Sequence, residues 1–145
     1  MNRPHVILLM ADQLRRDVLG CYGGAFGCSP NVDALAGEAV MHRAHTINSP
    51  LCVPSRISML TGLHPHVNGA IVNAWDKEEE PYGTCRNRRT FYEDLAGAGY
   101  RVEHLGTDHL RVDPPLAGRH PRIRFSAPAL APSLRMHLMS TEKNS

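Results

Sequence analysis

Residues 51–62 read Leu-Cys-Val-Pro-Ser-Arg-Ile-Ser-Met-Leu-Thr-Gly, and this stretch carries the strongest structural signal of the chain. Cys52, with Pro54 two residues later and an apolar run that ends at Gly62, is typical of a nucleophile at the N-terminus of a helix. The unpaired N–H groups and the positive dipole end of a helix favour a bound phosphate or sulfate. Arg56 adds a guanidinium group that can hold an oxyanion through two hydrogen bonds. The stretch therefore predicts a reactive cysteine beside an anion site.

The same stretch resembles the signature of the type I sulfatases of the alkaline phosphatase superfamily, Cys-x-Pro-Ser-Arg followed by an apolar turn and Leu-Thr-Gly. The signature is complete here, in Cys52, Pro54, Ser55, Arg56, Leu60, Thr61 and Gly62. The resemblance implies that Cys52 is oxidised after translation to formylglycine, whose hydrate attacks the sulfur of a sulfate ester and then releases sulfate. A buried structural cysteine is the alternative, since free cysteine packs as a small hydrophobe, but it leaves the rest of the signature as coincidence.

Length and composition exclude several other classes of protein. The chain has 145 residues and a formal net charge of +2, which suits one ordinary globular domain. Without a basic stripe interleaved with aromatic residues, we expect no nucleic-acid partner. The apolar run at residues 6–10 is too short for a signal peptide with its cleavage site or for a membrane span, so we expect no membrane contact and a mature chain that begins here. Without a secretory signal the four cysteines give no disulfide pattern, and we expect a cytoplasmic protein.

The hydrophobic pattern predicts alternating strands and helices. Residues 6–10 form a continuous apolar run, typical of a strand covered on both faces in a parallel sheet. Further strands are predicted at residues 40–46 and 100–105. Ser29-Pro30 predicts the start of one helix, and the capping-box pair Thr90 and Glu93 predicts another. The alternation indicates an α/β fold, and the resemblance implies a partial alkaline-phosphatase-like sheet, largely parallel, with helices on both faces.

The resemblance extends to residues 6–13, which are similar to the first strand of the family with its metal ligands. It implies that Asp12, Gln13 and the modified Cys52 hold a divalent cation. Ca²⁺, Mn²⁺ and Mg²⁺ all bind oxygen ligands. The resemblance favours Ca²⁺, with Mn²⁺ or Mg²⁺ as alternatives. Most arylsulfatases carry two successive aspartates here, whereas Asp12-Gln13 resembles the branch of choline sulfatases and phosphonate monoester hydrolases. The alternative for Asp12 is a strand-end residue that satisfies turn amides.

Substrate-binding residues are implied in two later segments. Asn73 fits a site asparagine of the same branch, and Asn68 is the competing candidate. Many family members carry a Lys-x-His pair that grips the sulfate oxygens, and here Thr107 occupies the lysine position and His109 the histidine position. The resemblance implies that Asn73 and Thr107 bind substrate and that His109 is catalytic. A loop position without such a role is the alternative for each.

The C-terminal part of the chain differs in composition. Residues 114–141 contain no Asp or Glu, and their Arg and Pro residues follow no helical or strand period, which predicts irregular structure. We therefore predict the N-terminal portion of a sulfatase-like catalytic domain at residues 1–112 and an irregular tail at residues 113–145. The family takes its remaining cation ligands from a much later strand, so we expect this chain to be the N-terminal portion of a longer sulfatase-like protein.

Two classes of function remain open. The first is hydrolysis of a small sulfate ester, or of a phosphonate or phosphodiester, with formylglycine from Cys52 as the nucleophile and Arg56 neutralising the oxyanion. This class requires a maturase that oxidises Cys52. The second is a non-catalytic fragment that lacks half of the cation site. Thr107 favours the phosphonate alternative, because a hydroxyl replaces an ammonium group there.

Overall fold

The computed structural model describes residues 3–74, 78–106 and 109–126. The chain divides into two compact units, Met1–Thr46 and Ile47–Ser145. Within the described ranges, every helix falls short of the length and apolar character that a membrane span requires.

The first unit contains two 3₁₀ turns and the helix α1 among its described residues. The turns span Arg16–Val18 and Gly20–Tyr22, and α1 spans Pro30–Glu38 with its proline in the first turn, as predicted. The strands predicted at residues 6–10 and 40–46 are not formed, so both predictions are wrong. A strand needs partners for its N–H and C=O groups, and the two strand pairs of the described residues both lie in the second unit.

A polar network connects the start of α1 to the second 3₁₀ turn. Ser29 Oγ accepts a hydrogen bond from the Gly20 N–H at 2.9 Å and donates to the Asp33 carboxylate at 3.1 Å. Asp33 Oδ1 also accepts from the Cys21 N–H at 2.7 Å. Ser29 therefore occupies the predicted N-cap position, but its hydroxyl bonds to the neighbouring turn and not to a helical N–H. The network therefore ties the start of α1 to the second 3₁₀ turn.

The second unit alternates helices with short strands, as the sequence predicts. The elements within its described residues are α2 (Cys52–Thr61), α3 (Pro65–Asn68), α4 (Glu80–Gly83), β1 (Cys85–Arg86), α5 (Phe91–Gly97), β2 (Val102–Leu105), β3 (Val112–Asp113) and β4 (Ile123–Ser126). β1 pairs with β3 and β2 pairs with β4, and both pairs are parallel. The predicted α/β class with parallel strands is thus confirmed.

One strand falls inside the segment that was predicted to be irregular. β4 alternates in burial, with Ile123 buried, Arg124 exposed, Phe125 partly buried and Ser126 exposed. This period of two is the mark of a half-buried strand, and prolines on both sides of it hide the signal in the sequence. Residues 127–145 of the predicted tail lie outside the described residues.

The apolar core of the second unit consists of small clusters around its helices. In the first, Val53 and Ile57 of α2 pack with Ala70 and Cys85, and Cys52 packs against this cluster from a partly buried position. In the second, Leu60 of α2 packs with Val112 and Leu116. The third joins α5 to the β2–β4 pair through Ala96, Val102 and Ile123. Because α2 contributes side chains to two clusters, the burial of these side chains fixes the orientation of the helix.

The predicted capping box at the start of α5 is confirmed. The Thr90 hydroxyl accepts from the Glu93 N–H, and Glu93 Oε2 accepts from the Thr90 N–H at 2.9 Å. Arg119 Nη1 lies 3.4 Å from the same Oε2, and the Arg119 side chain is only 10% exposed. Arg119 also donates to the carbonyl oxygens of Pro114 at 2.7 Å and Arg88 at 2.8 Å. This guanidinium therefore links the start of α5 to two loops.

Candidate functional site

Cys52 is the first residue of α2, so the helix N-terminus predicted for it is confirmed. The helix ends as predicted at Gly62, which adopts a left-handed conformation with φ 70° and donates its N–H to Ser58 O at 2.8 Å. At the other end, Leu51 occupies the N-cap position and offers no side-chain acceptor. The first N–H groups of α2 therefore need an acceptor from elsewhere.

Asn73 supplies that acceptor. Its Oδ1 accepts from the Val53 N–H at 3.2 Å and from Cys52 Sγ at 3.4 Å. One amide oxygen thus caps the helix and also orients the side chain at its first residue. The fold brings Asn73 and Cys52 together, and the substrate-binding role of Asn73 stays a prediction.

Asn68, the competing candidate, has a structural environment. It is 3% exposed, and its Nδ2 donates to Ser58 Oγ at 3.2 Å and to Leu63 O at 3.0 Å. Its Oδ1 accepts from the Ala70 N–H at 2.8 Å. These contacts tie α3 to α2 and satisfy both ends of the amide, so of the two asparagines it is Asn73 that contacts Cys52.

The end of α4 holds the segment that carries Asn73. The carbonyl oxygen of Tyr82 accepts from the N–H groups of Ile71 at 2.6 Å and Val72 at 3.2 Å. Gly83 is buried, and a Cβ placed on it would lie 2.2 Å from the Cβ of Ala74. Gly83 therefore permits a close approach of two backbones that any side chain would prevent. The position of Asn73 depends on this approach.

Arg56 lies one helical turn after Cys52, on the same side of α2, and is partly buried. A guanidinium at this spacing can reach an anion held at the helix N-terminus. The geometry is compatible with its predicted role as an oxyanion clamp, which stays a prediction.

Cys85 lies in the cluster against which Cys52 packs and is 0% exposed. Burial raises the pKa of the Cys85 thiol above its ordinary value of 9.0, while the charges of Arg88 and Arg119 lower it by less. The fold therefore holds this thiol in its neutral form, unlike a nucleophilic cysteine, which needs a thiolate.

The shifted pKa of Cys85 predicts a loss of stability at alkaline pH. Because the folded pKa is raised, the stabilisation is complete below the unfolded pKa of about 9.0 and is lost as the pH rises through the folded pKa. Urea unfolding at pH 8 to 11 should show this loss in the native sequence and a smaller one in Cys85→Ala. Cys28→Ala, which removes an exposed thiol, should retain the full loss. Equal alkaline profiles for the two variants would contradict the prediction.

Asp12 and Gln13 lie in the first unit and are exposed. Gln13 has φ 52°, a left-handed conformation that a residue with a side chain rarely adopts and that often marks a functional position. However, no group of three or more His, Cys, Asp or Glu side chains able to hold a metal occurs within the described ranges. Since Ca²⁺ takes six to eight oxygen ligands, these residues do not complete a cation site, and the metal roles of Asp12, Gln13 and Cys52 stay predictions.

Of the two predicted substrate contacts Thr107 and His109, the structure describes His109. Thr107 lies outside the described residues. His109 is partly buried, and its Nδ1 is fully buried without a hydrogen-bond partner among the described residues. A buried imidazole nitrogen without a partner is costly, and Nε2 of His104 is in the same condition among the described residues. Its catalytic role stays a prediction.

Two residues important for the site were not found from the sequence. Gly83 stands between Tyr82 and Thr84 without a second glycine or an Asn-Gly signal, so nothing locally marks the close approach. Cys85 has no motif beside it, and its packing under Cys52 joins residues far apart in the chain. Its neighbours Thr84 and Arg86 are polar, so no apolar pattern indicates its burial.

Removal of the Asn73 amide should loosen the start of α2. Asn73→Ala leaves the Val53 N–H and Cys52 Sγ without their acceptor, so we expect a loss of about 1 kcal/mol in the free energy of unfolding. The Cys52 thiol should also react faster with a labelling reagent, measured by mass at each cysteine. Asn31→Ala, at an exposed asparagine of α1 in the first unit, is the matched control. Unchanged labelling of Cys52 in Asn73→Ala would show that the contact does not restrain it.

Comparison with known proteins gives matches to a single family. A family model described as Sulfatase matches residues 4–116. Human Arylsulfatase D is 36% identical over 124 residues, human Steryl-sulfatase 35% over 115 and pig N-acetylgalactosamine-6-sulfatase 34% over 113. These alignments cover 81%, 75% and 74% of this chain, but 21%, 19% and 22% of the relatives. The chain thus spans about a fifth of the length of the curated relatives it matches. No solved structure gives a significant match.

Proposed function

Because the chain belongs to the sulfatase family, we propose that it takes part in the hydrolysis of a sulfate ester, with Cys52 as the residue that becomes the nucleophile. The observation that carries the proposal is the contact of Cys52 Sγ with Asn73 Oδ1 at the N-terminus of α2, 3.4 Å long. A structural cysteine would not need a polar partner at a helix end. The arrangement suits a side chain that must be presented in one orientation.

The surroundings of Cys52 fit its conversion to formylglycine. Formylglycine at this position supplies a hydrated aldehyde with two hydroxyl groups on one carbon. The acceptor is already in place, because Asn73 Oδ1 receives a hydrogen bond from the present thiol and can receive one from a hydroxyl at the same position. Cys52 is also only partly buried, so substrate can reach it.

The other residues of α2 contribute charge. The N-terminal N–H groups and the helix dipole favour an anionic group beside Cys52. Arg56 donates to the ester oxygens from one turn further along and neutralises the charge that develops on them. Asn73 keeps the side chain of residue 52 on this side of the helix. Binding and orientation of a sulfate group are therefore the tasks of these three residues.

A divalent cation, Ca²⁺ or else Mn²⁺ or Mg²⁺, belongs to the proposal, with Asp12 and Gln13 as contributing ligands. Because the described residues do not complete a cation site, no chemical step is assigned to it. His109 and Thr107 are proposed to contact the substrate. Oxidation of Cys52 requires a maturase as a partner, and a cytoplasmic location is part of the same proposal.

Two alternatives rest on specific observations. The first alternative is a phosphonate or phosphodiester substrate in place of a sulfate ester. It is favoured by the pair Asp12-Gln13 and by Thr107, which stands where many family members have lysine. The second alternative is a chain that binds an anion at the start of α2 without turning it over, because the helix N-terminus and Arg56 favour an anion whether or not hydrolysis follows. Each alternative gives a different result in the same assay.

The proposal predicts that turnover requires Cys52. The purified chain, with the chemical state of residue 52 determined by mass spectrometry, is incubated with Ca²⁺ or Mn²⁺ and with an aryl sulfate or an aryl phosphonate. We expect release of the phenol that is abolished in Cys52→Ala, a loss of about 10³-fold or more, and retained in Cys28→Ala. Preference for the phosphonate selects the second substrate class. Turnover that survives Cys52→Ala contradicts the proposal, and silence with formylglycine present supports the non-catalytic alternative.

A further inference from the structure

The backbone directly after Asn73 has an unusual conformation. Ala74 has φ 53°, in the left-handed region that residues with a side chain rarely adopt. Among the described residues, Gln13 and Asn87 are the other two that have a positive φ without being glycine, and both are exposed, whereas Ala74 is 1% exposed. A strained residue persists only where its surroundings determine its conformation, and such residues are concentrated at functional sites. The fold therefore imposes this conformation on Ala74.

Contacts on both sides of Asn73 hold this segment in place. Before Asn73, two N–H groups of the chain donate hydrogen bonds to the carbonyl oxygen of Tyr82, at 2.6 Å and 3.2 Å. After it, Ala74 lies against the backbone of Gly83, so close that a Cβ built on Gly83 would be 2.2 Å from the Cβ of Ala74. Asn73 is thus the residue between two anchored points.

The positive φ of Ala74 allows both anchors to hold at the same time. Rotation of φ to a negative value would turn the Ala74 Cβ relative to the peptide group that joins it to Asn73. Either the Cβ would leave Gly83, or that peptide group would turn and carry Asn73 with it. In the present conformation Asn73 Oδ1 accepts from the Val53 N–H at 3.2 Å and from Cys52 Sγ at 3.4 Å. The φ angle of Ala74 is therefore coupled to the contact at Cys52.

We propose that Ala74 is a positioning residue for Cys52, because its left-handed backbone conformation directs the Asn73 amide to the first turn of α2. A residue at position 74 that tolerates a positive φ should keep the amide in place, and a residue that avoids a positive φ should turn it away. The catalytic meaning of this role rests on the proposed function, in which Cys52 becomes the nucleophile. The positioning itself does not depend on hydrolysis.

Two substitutions of similar size test the proposal through the labelling rate of the Cys52 thiol, measured by mass. Asparagine adopts a positive φ far more readily than threonine, whose side chain is β-branched. Cys52 should therefore be labelled about fivefold faster in Ala74→Thr than in Ala74→Asn. Both variants add volume beside Gly83, so the difference between them reports the backbone conformation. Ala74→Gly removes the strain and should be labelled no faster than the native sequence.

Two controls separate positioning from a general loosening of the fold. In the Asn73→Ala background the amide is absent, so Ala74→Thr and Ala74→Asn should be labelled at equal rates at Cys52. Asn87→Thr places threonine at an exposed residue with φ 52°. This variant imposes the same backbone strain away from Asn73 and should leave the labelling rate of Cys52 at its native value.

The outcomes that overturn the proposal are specific. Equal labelling of Ala74→Thr and Ala74→Asn overturns it, as does a difference that persists without the Asn73 amide or a faster rate in Asn87→Thr. Faster labelling of Ala74→Gly also overturns it, so this variant keeps the test decisive if Ala74→Thr loses the native far-ultraviolet circular dichroism. Because the readout is the thiol itself, a protein that hydrolyses no ester still gives the result, and failure of the proposed function is distinguishable from failure of the positioning.

Discussion

Gly83→Ala is expected to lower the free energy of unfolding by about 3 kcal/mol. The new methyl group would lie 2.2 Å from the Cβ of Ala74 and 3.0 Å from the carbonyl oxygen of Val72. Neither neighbour can move away easily. Ala74 is 1% exposed, and the N–H groups of Ile71 and Val72 donate hydrogen bonds to the carbonyl oxygen of Tyr82. The segment must therefore move, and Asn73 moves with it. Urea unfolding measures the loss of stability, and mass-resolved labelling measures the accompanying exposure of Cys52.

A matched glycine distinguishes the clash from a general effect of the substitution. Gly97 is the last residue of α5, and a Cβ placed on it meets no atom within 4 Å. Gly97→Ala should be neutral or stabilising by up to about 1 kcal/mol, because it reduces the entropy of the unfolded chain. The labelling rate of Cys52 should not change in this variant. If Gly83→Ala behaves like Gly97→Ala, the close approach of the two backbones does not restrain the site.

Arg119→Met is expected to cost about 3 kcal/mol. The guanidinium is 10% exposed and pairs with Glu93 at 3.4 Å, and its removal leaves the Glu93 carboxylate partly buried without its counter-charge. The variant also removes the donors to the carbonyl oxygens of Pro114 and Arg88. The start of α5 should therefore be the first region to lose protection in amide hydrogen exchange.

Two further variants separate the partly buried pair of Arg119 and Glu93 from an ordinary surface pair. Arg86 lies 3.8 Å from Glu80 and 3.6 Å from Asp113, with a side chain that is 44% exposed. Arg86→Met should cost less than about 1 kcal/mol. Glu93→Gln combined with Arg119→Met should cost less than the sum of the two single changes, because no unpaired charge remains. An additive result would mean that Arg119 stabilises the fold through its carbonyl contacts alone.

Features encoded within a few residues of one another were predictable from the sequence. The capping box at Thr90 and Glu93 and the glycine end of α2 depend on contacts of three to five residues, and both formed as predicted. Cys52 at the start of a helix belongs to the same class. Local chemistry made these elements predictable, and in α2 burial and the cap from Asn73 add to it.

Features that depend on distant partners were not predictable. Residues 6–10 have a strand-like pattern but no strand, because pattern alone does not supply a pairing edge. β4 was missed for the opposite reason: its pairing with β2 stabilises a short segment between prolines. The resemblance indicated Asn73, but its role as the cap of α2 depends on the backbone approach at Gly83.

The cap that Asn73 gives to α2 also sets an order of events during synthesis. Cys52 is made 21 residues before the side chain that restrains it. At a translation rate of about 5–20 residues per second, Asn73 follows Cys52 from the ribosome after about 1–4 s. Throughout that interval the start of α2 lacks its acceptor, and the cysteine is accessible to an enzyme that acts on an extended nascent chain. Closure of the loop to Asn73 ends this period, so the spacing of these two residues in the sequence sets a lower bound on the time available for the oxidation proposed for Cys52.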